Sequence, residues 1–270
     1  MSKLAKRIAD IKSQQIGITG KRALVVEGKD DVGAFSAFLR KRNGAWDQQW
    51  VVAYAGAKTR VPEILQEEPT WIGVVDRDEW TLAEVGSASA ACSNLFVLPR
   101  FCVESYLVDP AEIWAALPPI QRARFNDGAP QLRQAIEANL ANWKRHAALW
   151  HVIHPIYRHM RSSEHRDSLL DPTAVPNDAT LTQIVSGWLN KFDAARIAQE
   201  VNQKLLGYEQ LQPFEFYHQH LYAKKFYPMV VHDVLNRVLG QTQEEDRWQK
   251  LLLTMPLPAD LAPLWTKMGL

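Results

Sequence analysis

Two short acidic stretches are where this chain could do chemistry. In "LVVEGKDD" an apolar run ends on Glu27, and Asp30 and Asp31 follow just beyond Gly28 and Lys29. In "VVDRDEW" a second apolar run ends on Asp76 and Asp78. Carboxylates are hard oxygen ligands suited to Mg²⁺ or Mn²⁺, ions that keep several waters and accept substrate phosphates. Brought together without a cation, three carboxylates repel one another and their pKa values rise. A divalent ion held between them removes that penalty, and the resulting cradle suits phosphate chemistry. Each piece alone has a plainer use. Gly28 can supply a turn, Asp30 and Asp31 can favour the start of a helix, and a D-x-D can close an Asx-turn. Their order and shared context favour the metal.

For these side chains to meet, the two stretches must be neighbouring strands with their acids at the same end. "RALVVEG" (22–28) predicts a buried strand. "KDDVGAFSAFLRKRNG" (29–44) predicts the helix after it, with Phe35, Phe38 and Leu39 on one face and Gly44 at the C-cap. Further strands are expected over 48–56, 70–78 and 94–100, with a short helix around 61–66. Strands alternating with helices imply a mainly parallel, Rossmann-like sheet, and ligands of such sheets bind beyond the carboxyl ends of the strands. Glu27 belongs to that end of the first strand, and Asp76 and Asp78 to that end of the third. Residues two apart in extended chain face the same way, so Asp76 and Asp78 should project together. Beyond about residue 108 the pattern becomes helical, over 130–153, 155–167, 178–205, 228–240 and 243–254, punctuated by prolines. The expected organisation is an α/β domain over 1–128 followed by a mostly helical region over 129–270.

Composition narrows the partners. Lysine and arginine number 31 against 30 aspartates and glutamates, a net charge of +1, so binding a polyanion requires a local patch or bound metal ions. Two cysteines, Cys92 and Cys102, exclude a four-thiolate zinc site. No apolar run approaches the roughly 20 residues that span a bilayer, and the charged N-terminus lacks a signal-peptide core, which predicts a cytoplasmic protein without a membrane partner. "WKRHAALWHVIHPIYRHMRSSEHR" (143–166) is basic and aromatic. Arg158 and Arg161 are candidate contacts to a nucleic-acid backbone, whereas Trp143, Trp150 and Tyr157, spaced by seven, are expected to bury a helix face. His151 and His154 have metal-ligand spacing, but Pro155 is expected to interrupt the helix there.

With Asp76 following Glu27 by 49 residues, the two acidic stretches resemble those of the TOPRIM domain, the metal-dependent fold shared by topoisomerases, primases and several nucleases. A third piece, "VLPRFCVESYL" (97–107), is similar to a segment of the branch that holds OLD-family nucleases and small stand-alone bacterial defence proteins. Within that branch the likeness is greatest to the AriB-type TOPRIM effectors of PARIS anti-phage systems. The resemblance covers about residues 20–110. It implies that Glu27 is the catalytic acid, Asp31 its trailing aspartate, Asp76 and Asp78 the metal-binding pair, and Glu104 the acid of the third segment. Ser105 stands where an asparagine is usual. "YAKKFYPMVV" (222–231) is similar to a late Gly-Lys stretch, with Ala223 in place of the glycine, so that Lys224 or Lys225 would approach the site. Such a lysine would neutralise charge developing on a phosphate.

The expected activity is metal-dependent endonucleolytic hydrolysis with Mg²⁺ or Mn²⁺ held by Glu27, Asp31, Asp76, Asp78 and Glu104. Glu27 serves either as ligand or as general base. By resemblance the substrate is RNA, transfer RNA in particular, cut by a toxin-like effector that an ABC-type ATPase partner restrains and that is dimeric when active. The alternatives are a DNA nickase of OLD type and a non-catalytic TOPRIM scaffold within an ATPase complex. "GITGKR" (17–22) lacks the phosphate-loop spacing and precedes its strand, so ATP dependence would have to come from the partner.

Overall fold

In the computed structural model, residues 2–160 and 177–270 are described. The chain divides into two compact units, one of Met1–Ala138 with Tyr217–Leu270 and one of Asn139–Phe216. This differs from the linear division expected at 128/129. The last 54 residues, Tyr217–Leu270, belong with the α/β unit because they cover one of its helices.

The first unit is built on four parallel strands, β1 (Arg22–Val26), β2 (Trp50–Tyr54), β3 (Ile72–Val75) and β4 (Leu95–Val97), in the order β2-β1-β3-β4. The helices between them are α2 (Lys29–Arg42), α3 (Arg60–Glu67) and α4 (Leu82–Ala91), with α1 (Lys3–Asp10) ahead of the sheet. Both faces of the sheet are covered, which is why β1 reads as an unbroken apolar run. Ala23 and Val25 join a core with Ile8, Ile11, Val61, Ile64 and Leu65 on the side of α1 and α3. On α2, Phe35, Phe38 and Leu39 are buried as the periodicity predicts. The C-cap is Asn43 in an extended conformation, one residue before the expected Gly44, and its amide makes the last helical bond, to the Leu39 carbonyl.

After β4 come a short turn at Val103–Leu107 and the helices α5 (Pro110–Ala116), α6 (Pro119–Arg122) and α7 (Ala129–Glu137). In the returning segment, the helix Glu244–Thr254 packs on α2, where Trp248, Leu251 and Leu252 are buried and Lys41 donates to the carbonyls of Leu252 and Met255. Arg100, only 4% exposed, pairs with Glu112 through two nitrogens and with Asp260, and stacks on Tyr106. These bonds tie the chain after β4 to the C-terminus.

The second unit holds α8 (Leu140–Met160), α9 (Asp178–Lys191) and α10 (Ala194–Glu209), with α8 packed on α10. Pro155 lies inside α8 and does not interrupt it, contrary to expectation. The residues that α8 buries are Ala147 and Ala148; Trp143 and Trp150 are half-buried and Tyr157 is exposed, so the spacing of seven does not mark a core face.

Gly73 is where the sheet leaves least room. A Cβ there would lie 2.5 Å from Val61 Cγ1 and 2.7 Å from Leu65 Cδ1, both on α3. Gly73→Ala is expected to lower stability by about 1–3 kcal/mol through overpacking. A chemical-denaturation midpoint equal to that of the unmodified protein would contradict this packing.

Candidate metal centre

The pairing of β1 with β3 brings the two acidic stretches together. Leu24 and Val25 lie beside Ile72 and Gly73, so both strands deliver their next residues to one edge. Glu27 follows β1 directly, and its Oε1 accepts a 2.7 Å hydrogen bond from the Asp76 amide. One oxygen each of Glu27, Asp76 and Asp78 lies within 4.8 Å of the others. The carboxylates expected to converge therefore do so.

The way Asp78 arrives differs from expectation. The strand ends at Val75, and Asp78 has φ +48°, the one positive φ outside glycine among the described residues. Its amide donates to the Phe101 carbonyl at 2.6 Å. Asp76 and Asp78 are thus brought together by a tight left-handed turn, not by the alternation of extended chain. Asp76 is 6% exposed; its Oδ1 accepts from the Val103 amide at 3.1 Å and its Oδ2 meets Lys224 Nζ at 2.9 Å. Lys224 Nζ also lies 3.2 Å from Asp78 Oδ1, while Lys225 is exposed, so Lys224 is the lysine that reaches the acids.

Asp31 and Glu104 stand outside that trio. Asp31 is the N3 residue of α2, and its Oδ2 accepts from the Gly28 amide at 2.8 Å, closing the helix start. It still feels the charges of Glu104 and Lys224 and adds to the repulsion on Asp76. Glu104 lines a cleft of about 860 Å³ together with Lys29, Asp30, Lys224 and the acidic first turn of Glu244–Thr254. Arg158 is an exposed residue of α8 in the other unit, and Arg161 lies outside the described residues.

A second cation at the centre was not anticipated. Lys58 Nζ lies 3.0 Å from Asp78 Oδ2 and 3.2 Å from the Arg77 carbonyl, donates to the Asp76 carbonyl, and sits 4.1 Å from the centre of the Trp80 ring. The signal available in the sequence was positional. "YAGAKT" follows β2 at the same edge of the sheet, and the Gly56 amide continues the ladder by donating to the Glu27 carbonyl at 2.8 Å.

Burial dominates the electrostatics. It raises the Glu27 carboxyl to about 7, with Lys58 opposing and the Asp78 charge adding to the rise. Burial likewise raises Asp31 to about 6 and holds Asp76 well above the usual range despite Lys224. Burial disfavours the Lys224 ammonium, but Asp76 and Asp78 outweigh it and raise its pKa. Three hard oxygen donors, two of them made costly to ionise by burial, fit a divalent cation with oxygen preference. Among the described residues they are also the one group of three or more potential ligands whose donor atoms lie this close together.

No protein-family model and no curated protein matches the sequence. No helix among the described residues is long and apolar enough to cross a membrane.

A metal must displace the proton that Glu27 holds below about pH 7. Mn²⁺ binding followed by calorimetry should therefore weaken by at least about tenfold per unit as pH falls from 7 to 5, the raised Asp76 carboxyl adding to the fall. In the metal-free protein the sign is opposite. A folded-state pKa raised from 4.5 to about 7 means that Glu27 favours the fold most at low pH and loses that contribution as pH rises through 7. Affinity independent of pH across this window would contradict the assigned environment of Glu27.

Proposed function

We propose that the chain is a metal-dependent phosphodiester hydrolase of TOPRIM type, an endonuclease using Mg²⁺ or Mn²⁺. The observation that carries this reading is the meeting of three carboxylate oxygens within 4.8 Å at the carboxyl edge of a parallel sheet. When bound there, a divalent ion supplies Lewis-acid stabilisation of phosphate charge and activation of a water nucleophile. Glu27, Asp76 and Asp78 hold the ion. Alternatively Glu27 takes the proton of the attacking water as general base, with Asp76 and Asp78 left to hold the ion. Lys224 is placed to leave its carboxylate partners and meet an incoming phosphate oxygen, where its charge counts most.

The surroundings favour an enzyme of restrained activity. The cleft beside the centre carries Asp30, Glu104, Glu244, Glu245 and Asp246 against Lys29 and Lys224, so a polyanion is repelled until cations are bound. The substrate class comes from the resemblance of the acidic motifs, which favours RNA, transfer RNA in particular, and an effector role in anti-phage defence under the control of an ABC-type ATPase partner.

Purified protein incubated with Mn²⁺ and, separately, total transfer RNA or supercoiled plasmid tests both parts. Transfer RNA fragments are expected, with Glu27→Gln lowering the rate at least about 100-fold while thermal unfolding stays cooperative. Plasmid nicking without RNA cleavage would replace the substrate by DNA. No cleavage of either, with full function retained by Glu27→Gln in cells that carry the ATPase, would leave a scaffold.

A further inference from the structure

Among the described residues, each hydrogen bond of Lys58 Nζ goes to a single short stretch, the turn after β3. Its acceptors are the Asp76 carbonyl, the Arg77 carbonyl at 3.2 Å and Asp78 Oδ2 at 3.0 Å, with the Trp80 ring centre at 4.1 Å. An ammonium group has three donors, and these three acceptors use them all. Lys224 differs in lacking the backbone contacts: Lys58 shares with it an oxygen of Asp78, but Lys224 meets only ligand side chains, Asp76 Oδ2 and Asp78 Oδ1, and no backbone carbonyl of the turn.

The turn needs such support. Residues 76–80 (Asp-Arg-Asp-Glu-Trp) contain no glycine, yet Asp78 adopts φ +48°, a region that a residue with a Cβ enters rarely. Two successive carbonyls, those of Asp76 and Arg77, converge on one point, an arrangement that repels unless a cation sits there. Lys58 is that cation. It is held from below by Trp80, whose ring packs against the core of the sheet.

We propose that Lys58 is a positioning residue of the metal centre. By gathering the carbonyls of Asp76 and Arg77 and the carboxylate of Asp78, it fixes the turn that presents Asp76 and Asp78 to Glu27. This rests on the metal-centre reading above and adds to it a division of labour: Lys58 shapes the site, and Lys224 occupies it until a metal arrives. The two roles predict opposite signs. Removing a mere counter-charge strengthens cation binding, whereas removing a positioning group weakens it.

Mn²⁺ titration calorimetry on the full chain separates them, together with hydrogen exchange of the 76–80 segment, where the Asp78 amide is protected by the Phe101 carbonyl. Lys58→Met is expected to weaken Mn²⁺ binding roughly 10–100-fold, as loss of an outer-shell partner does, and to speed exchange in 76–80. Lys224→Met is expected to bind Mn²⁺ more tightly than the unmodified protein, with exchange in 76–80 unchanged. Lys58→Met binding as tightly as the unmodified protein, or more tightly, overturns the proposal. Should Lys58→Met fail to fold, Trp80→Leu removes the ring beneath the ammonium along with its packing on the core, and in a variant whose thermal unfolding stays cooperative it should weaken Mn²⁺ binding in the same direction; unchanged affinity there also overturns the proposal. The metal-centre reading fails in its own way. Mn²⁺ binding absent from the unmodified protein, or indifferent to Glu27→Gln, removes the centre and Lys58's role with it, whereas normal binding and cleavage with Lys58→Met unaffected removes only the role of Lys58.

Discussion

Glu27, Asp76 and Asp78 bring three negative charges to one edge of a sheet, with oxygens within 4.8 Å of one another and Asp76 almost fully buried. In water such charges would stay apart. Here they are held by the chain, and burial makes their ionisation costly enough to lift Glu27 to about 7 and Asp76 well above its usual range. The repulsion is answered in three ways at once: by backbone amides of Asp76 and Val103, by the ammonium groups of Lys58 and Lys224, and by residual protonation. A site balanced in this manner could hold a divalent cation, one ion standing in for both the proton and the Lys224 ammonium.

The scaffold supplies the geometry. Parallel pairing of β1 with β3 sends both strands out of the same edge, and Gly73 lets α3 approach β3 closely. Each acid then comes from a different local device. Glu27 continues a strand, Asp76 sits one residue past another, and Asp78 is turned in by a left-handed backbone. The fourth contribution comes from far along the chain. Lys224 lies in Ala223–Phe226, and the stretch Tyr217–Leu270 belongs to the same unit as the sheet. That return explains how a residue 146 positions after Asp78 can be its ion-pair partner.

Much of this was legible in the sequence because strands buried on both faces leave plain apolar runs, and the acids end those runs. The parallel sheet, the placing of Glu27, Asp76 and Asp78 at strand ends, and the buried face of α2 follow from such local patterns, whereas the convergence of the three acids required β1 and β3 to be neighbours, as they are. Three things were not legible, each for a physical reason. Aspartate tolerates the left-handed region, but that Asp78 adopts it goes with distant partners, the Phe101 carbonyl on its amide and Lys58 on its carboxylate, which the local sequence does not reveal. Lys58 sits in a loop where a lone lysine is usually solvated, and its partners lie 18 to 20 residues away. The boundary between units was misplaced because helical periodicity shows that a segment is amphipathic but not which surface covers its apolar face. The aromatic spacing of α8 failed likewise, since the residues this helix buries are the small Ala147 and Ala148 and not the rings spaced by seven.

The most direct test is diffraction from Mn²⁺-soaked crystals collected at the manganese absorption edge. An anomalous peak should lie within coordination distance of carboxylate oxygens of Glu27, Asp76 and Asp78, with the Lys224 ammonium displaced from them. Anomalous density elsewhere, or none at saturating Mn²⁺ while Lys224 keeps its place between the two aspartates, would contradict the account.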